Sequence, residues 1–155
     1  ETVRAPRGGL LFGLFFLGGC NVKPTVRQIA ESIQIDKAWT EIHPSPPLVV
    51  SEQVQSISIE VPNLPAWDIR PETASFVKPD GEVVKIEVEL VATGGSRFSL
   101  ESVGLGPGLK FSPRPQSSAP DSSRLPRGMS FTTVRFRSDR PIQGGTVSWI
   151  CITNY

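Results

Sequence analysis

The chain has 155 residues, a formal net charge of +1, 15 Pro and 14 Gly, but only two Cys and one His. That density of Pro and Gly excludes a helical bundle and suits an all-β domain with many turns. A near-neutral charge leaves no electrostatic footprint for nucleic acid, and these Cys and His cannot supply the roughly four ligands of a structural zinc site.

In chain order, Arg4 and Arg7 come first, followed by an apolar run at residues 10–17 (LLFGLFFL) that stops at Gly18, Gly19 and Cys20. A basic end, a short apolar segment and small residues at a cleavage point are the parts of a secretory signal. The run is too short to cross a bilayer, which takes about 20 apolar residues. The tetrapeptide Leu17-Gly18-Gly19-Cys20 resembles the lipobox of bacterial lipoproteins. The resemblance covers only the first twenty residues. It implies that Cys20 is lipidated and becomes the first residue of the mature chain, and it implies nothing about the fold. An ordinary cleaved signal, or a buried strand ending in Cys, is the plainer alternative.

The resemblance implies a diacylglycerol on the Cys20 sulfur and an amide-linked acyl chain. Two chains hold a protein stably on a membrane where one does not. Asn21 occupies the place where, in enteric bacteria, Asp resembles a signal for inner-membrane retention. The expected location is therefore the bacterial cell envelope, anchored by lipid to the outer membrane and facing the periplasm. Loss of residues 1–19 removes Glu1, Arg4 and Arg7 and leaves equal numbers of basic and acidic side chains. With Cys20 lipidated, Cys151 would have no disulfide partner in the chain. Without lipidation, a Cys20–Cys151 bridge is the alternative.

Residues 1–19 thus read as signal, 20–54 as the lipidated Cys and a tether, and 55–155 as a β-sandwich domain. Within the tether, Val26, Ile29, Ala30 and Ile33 fall at helical spacing, whereas Ile33-Gln34-Ile35 alternates like a strand. A short helix and a short strand both remain open there. Pro44, Pro46 and Pro47 impose an extended connection.

Strand patterns follow. Ile57, Ile59 and Val61 alternate with polar residues until Pro62 and Pro65. Residues 75–78 form a short candidate strand ahead of Pro79-Asp80-Gly81, a strong turn signal. Val84, Ile86, Val88 and Leu90 alternate with Lys85, Glu87 and Glu89, the clearest element of the chain and one that predicts an apolar face on the core. Gly94-Gly95 turns the chain into residues 97–103, and Leu109 and Phe111 form another apolar pair. Residues 112–128 read as a Pro/Ser-rich loop, long enough to be functional or mobile. Val134 and Phe136 face inward with Arg135 and Arg137 outward, Gln143-Gly144-Gly145 suits a hairpin, and residues 146–152 form a last strand around Trp149. Seven or eight strands split by such turns predict a single two-sheet β-sandwich, immunoglobulin-like or jelly-roll-like.

Candidate chemistry is sparse. His43, beside Pro44, lacks the neighbours of a hydrolase triad. Gly104-Leu105-Gly106-Pro107-Gly108 lacks the lysine and helix of a phosphate loop and reads as a turn. Cys151, between Ile150 and Ile152, reads as a core residue. No cofactor, metal or catalytic residue is expected. Arg135, Arg137 and Arg140 form either a basic patch for an anionic ligand or, as the preferred reading, cross-strand partners of Glu87 and Glu89. Of the three Trp, Trp39, Trp67 and Trp149, the last reads as core, and Trp67 is the better surface candidate. Two loops are the candidate binding surfaces: 62–71 with Trp67, Asp68 and Arg70, and 112–128 with Arg114, Arg124 and Arg127. The leading expectation is a non-enzymatic binding or structural module for an envelope protein or glycan. The alternative is a glycan hydrolase using two carboxylates, which needs neither His nor metal.

Overall fold

The computed structural model of the chain describes residues 25–50, 54–62, 67–103, 108–113 and 125–152. Residues 1–19, read above as a signal, and Cys20 lie outside the described residues, as do residues 104–107, Arg114 and Arg124. The fold is all-β. Among the described residues the eleven strands are β1 (Thr25–Ile35), β2 (Thr40–Ile42), β3 (Leu48–Val49), β4 (Val54–Glu60), β5 (Asp68–Arg70), β6 (Ser75–Val77), β7 (Val83–Ala92), β8 (Arg97–Ser102), β9 (Leu109–Pro113), β10 (Ser130–Ser138) and β11 (Ile142–Ile152). A 3-10 turn at Pro71–Thr73 joins β5 to β6.

The strands follow one antiparallel path, β1-β11-β4-β9-β8-β7-β10-β2, with β3 beside β10 and the small β5-β6 ribbon beside β7. Two walls, β1-β11-β4-β9 and β7-β10-β2, are joined through β8, which pairs with both β7 and β9. The sheet curls until it is nearly a barrel. Phe131 of β10 meets Trp149 of β11 across the interior, ring centroids 6.4 Å apart, so the walls pack face to face.

The alternation in β7 does what its pattern predicts. Val84, Ile86, Val88 and Leu90 are buried while Lys85 and Glu87 are exposed. Phe76, Phe111, Phe131 and Phe136 are also fully buried. Each such aliphatic or aromatic side chain contributes about 1.5–3 kcal/mol on leaving water. The Pro79-Asp80-Gly81 turn forms as read: Gly81 takes φ +87° and the Asp80 carboxylate accepts the Glu82 N–H at 2.9 Å.

Three segments depart from the sequence reading. In the stretch read as a tether with either a short helix or a short strand, the strand forms and is longer than a tether allows: residues 25–35 are β1, hydrogen-bonded to β11, and Ile35 lies in the core. The folded domain therefore takes in residues 25–50 as well as the described residues from 54 onward. Register shifts between Gln28 and Ala30, Ala30 and Ile33, and Ile33 and Ile35 rotate β1 repeatedly, and Ser32 adopts φ 52°. Those bulges turn Ile29, Ala30 and Ile33 toward the core at a spacing that mimics a helix. Gly144 and Gly145, read as a hairpin turn, lie inside β11 instead. Gly144 takes φ +75° against Pro62, and Gly145 sits between Ile33 and Ile35. The turn itself is at 139–141, where Asp139 bridges to β7: its carboxylate accepts the Lys85 N–H at 2.8 Å. The loop 62–71 likewise contains β5 and the start of the 3-10 turn.

Candidate functional site

The outer face of β2, β10 and β7 carries an ordered set of charges. Antiparallel register places Glu41, Arg135 and Glu89 in one row across the three strands. Arg135 Nη1 donates to Glu89 Oε2 at 3.0 Å, and its Nε lies 3.0 Å from Glu41 Oε1, an ion pair too far off line for a hydrogen bond. In the next row Arg137 Nε pairs with Glu87. The cross-strand reading of Arg135 and Arg137 is therefore the one this geometry adopts. Trp39, just ahead of β2, lies over both guanidinium groups, with Cζ of Arg135 at 4.7 Å and of Arg137 at 4.5 Å from its ring centroid. Such stacking stabilises each pair by about 0.5–1 kcal/mol at partly exposed sites. Sequence reasoning missed Trp39 and Glu41 here, because only the register of β2 on β10 brings them to the arginines.

The two rows differ in worth. The Arg135 side chain is 12% exposed and its partner Glu89 20%, whereas Arg137 and Glu87 are 42% and 50% exposed. Arg135→Gln leaves two carboxylates facing one another without their cation and should cost about 1–2 kcal/mol. Arg137→Gln should cost under about 1 kcal/mol, since water screens an exposed pair. Chemical denaturation of both variants checks this, and equal losses would contradict the ranking.

Beside this ladder runs a groove of about 600 Å³. Trp39 and Arg137 border one side, the 3-10 turn the other, and β7 and β8 form its floor. Glu72, Glu87, Glu89 and Glu101 bring four carboxylates to its lining, against Lys85 and Arg137. A smaller hollow of about 410 Å³ is bounded by Lys37, Lys85, Glu87, Arg137, Ser138 and Asp139. Glu72 and Glu101 carried no pattern in the sequence, because they meet only where the 3-10 turn, held to β7 through β6, comes beside β8.

The other sequence candidates are dispersed. Trp67 is half-buried, its ring edge-on to Phe76 at 6.0 Å with Lys78 Nζ 5.5 Å from its centroid. Asp68 and Arg70 are exposed on β5, and neither lines the groove. Arg140 is exposed in the 139–141 turn. Arg127 is exposed in the turn before β10, whose Gly128 N–H donates to the Val50 carbonyl at 2.8 Å. Ser112 and Pro113 are the end of β9, and Leu125 packs against the core, so both ends of the stretch read as a 112–128 loop belong to the folded domain. His43 Nδ1 lies 3.1 Å from Thr133 Oγ1, a tie between the two strand edges. Cys151 is buried in β11. No family model, characterised protein or solved structure matches the chain.

Proposed function

We propose that this chain is a lipid-anchored protein of the bacterial cell envelope, held to the outer membrane on its periplasmic side. Its β-domain serves there as a non-enzymatic binding module. The observation that carries the reading is the Leu17-Gly18-Gly19-Cys20 tetrapeptide straight after an apolar run. The domain contributes a rigid sheet and a polar groove whose carboxylates and flanking Trp39 suit hydrogen bonding to a glycan or to a segment of another envelope protein.

Labelling cells with radioactive palmitate tests the anchor. The wild-type chain should incorporate label and sediment with membranes, and Cys20→Ala should do neither. Equal labelling of the two, or labelling of neither, would defeat the reading. The four groove carboxylates also favour a second reading, a glycan hydrolase, since a pair of carboxylates about 5–9.5 Å apart suffices for glycosidic cleavage. Incubation of the protein with envelope glycans separates the readings: retention of intact glycan supports binding, and release of shortened fragments supports hydrolysis.

A further inference from the structure

The lipid anchor, if Cys20 carries it, is attached very close to one particular end of the sheet. Five Cα steps separate Cys20 from Thr25, the first residue of β1, and such a stretch reaches at most about 18 Å. The long strands of this domain, β1, β7, β10 and β11, outreach that tether: the 11 residues of β1 extend over about 35 Å. The end of the sheet that holds Thr25 is therefore confined near the lipid surface.

Pairing identifies what else shares that end. Thr25 stands opposite Cys151, and Ile152 opposite Val54. Ser112 bonds through its hydroxyl to the Gln55 carbonyl, and Pro113 stands opposite Leu100. Arg97, the first residue of β8, is opposite Val91, and Ala92 is opposite Phe131. Ser130 is opposite Val49, and Gly128 is bonded to Val50. The rim thus runs from Thr25 past Val54, Pro113 and Arg97 to Arg127 and Val50.

The charge on this rim is one-sided. Among its described residues (25–28, 48–50, 54–56, 91–99, 112–113, 125–131 and 149–152) the charged side chains are Arg27, Arg97 and Arg127, with no Asp or Glu. The intervening sequence adds Arg114 and Arg124 against Glu52 and Asp121, so the excess rests on the described residues. The opposite rim carries Asp36, Glu60, Asp68, Glu72, Asp80, Glu82, Glu101 and Asp139 against Lys37, Arg70, Lys78, Lys85, Lys110, Arg137 and Arg140, so among the described residues it has a slight excess of acids. A domain polarised in this way orients its basic end toward a negative surface.

We propose that the rim marked by Thr25, Arg97 and Arg127 rests on anionic lipid headgroups, and that the acidic rim points away from the membrane. The groove beside the 3-10 turn then opens on the side away from the lipid. This inference rests on the lipid-anchor reading. It adds an orientation and a second, electrostatic contact to that reading.

The test uses the full lipidated chain in vesicles containing anionic lipid and a headgroup-linked energy acceptor. A donor dye is placed through Ser96→Cys, in the turn ahead of Arg97, or through Arg140→Cys, in the 139–141 turn at the far rim. The unsubstituted chain gives the labelling background. Energy transfer from position 96 should exceed that from position 140 by at least about twofold, given tether and strand lengths of about 18 and 35 Å. Adding Arg97→Gln and Arg127→Gln should lower transfer from position 96 in anionic vesicles, and zwitterionic vesicles should show no such change. Equal transfer from both positions, or more from 140, in protein that sediments with the vesicles would overturn the orientation and leave the anchor standing. Unchanged transfer in the Arg97/Arg127 variant would overturn the headgroup contact. Protein that fails to sediment with vesicles would overturn the anchor and the orientation together.

Discussion

Replacing Ile86 with Asp should unfold the domain. Ile86 sits near the middle of β7, 1% exposed, between the buried Val84 and Val88 and opposite Ser138 of β10. Its backbone N–H also donates to the Ala74 carbonyl at 2.9 Å, tying the 3-10 segment to the sheet. An aspartate there must either lose its charge or carry it into an apolar interior, and no cation faces inward from the adjoining β10 positions, Phe136 and Ser138. The cost adds to the lost transfer energy of the isoleucine and should exceed about 4–5 kcal/mol, a large part of the total stability of a domain this size. Far-ultraviolet circular dichroism should lose its β signal at 25 °C. Lys85→Ala, one position along and exposed, should leave the spectrum unchanged. A soluble and fully folded Ile86→Asp variant would show that β7 faces the other way.

Gly108→Ala should be the second severe substitution, for a different reason. Gly108 leads into β9 with φ +80°, and a Cβ there would stand 2.6 Å from the Ile59 carbonyl oxygen and 2.7 Å from Glu60 Cγ. The first of these is backbone of β4, paired with both β9 and β11, so it cannot move aside without breaking the ladder. Gly95 supplies the control. It has φ +89°, but nothing lies within 4 Å of its would-be Cβ. Gly95→Ala should cost only the left-handed conformation, about 1–2 kcal/mol. Gly108→Ala should cost that and a further 2 kcal/mol or so from crowding. Denaturant midpoints of the two variants measure the difference, and equal destabilisation would mean that β9 does not approach β4 so closely.

These two sites also show what can be read from a sequence of this kind. The facing of Ile86 follows from alternation alone, because β7 is regular from Val84 to Leu90 and side chains on a strand repeat every two residues. Gly108 reads only as a turn residue, since the oxygen it must accommodate comes from Ile59, far away in the chain. The same division runs through the rest of the fold. Trp149 is legible as core from its β-branched neighbours, and the Pro79-Asp80-Gly81 turn from its own chemistry. β1 is legible only in part: Ile33-Gln34-Ile35 alternates as a strand, but three register shifts break the pattern before it and leave apolar residues at helical intervals. Gly144 resembles a hairpin residue, yet its positive φ serves a kink within β11 where Pro62 approaches.

The candidate site divides likewise. Arg135 and Arg137 share a face with a period of two, and their match to Glu87 and Glu89 was open to inspection in the sequence. Trp39 and Glu41 join them only through the pairing of the three-residue strand β2, which no local pattern announces. The groove needs one more level of organisation, since Glu72, Glu89 and Glu101 come from the 3-10 turn, β7 and β8. Propensity and period specify elements, whereas register and crossover specify which elements share a surface.

One atom decides the proposed anchor, the Cys20 sulfur. Mass spectrometry of the N-terminal tryptic peptide from membrane-purified protein reads it directly. Lys23 precedes Pro24, so trypsin should cut next after Arg27 and yield residues 20–27. This peptide should begin at Cys20 and carry a diacylglycerol on sulfur and an acyl chain on the amino group. A chain that begins elsewhere, or a Cys20 recovered as an unmodified thiol or as a disulfide to Cys151, would contradict the anchor.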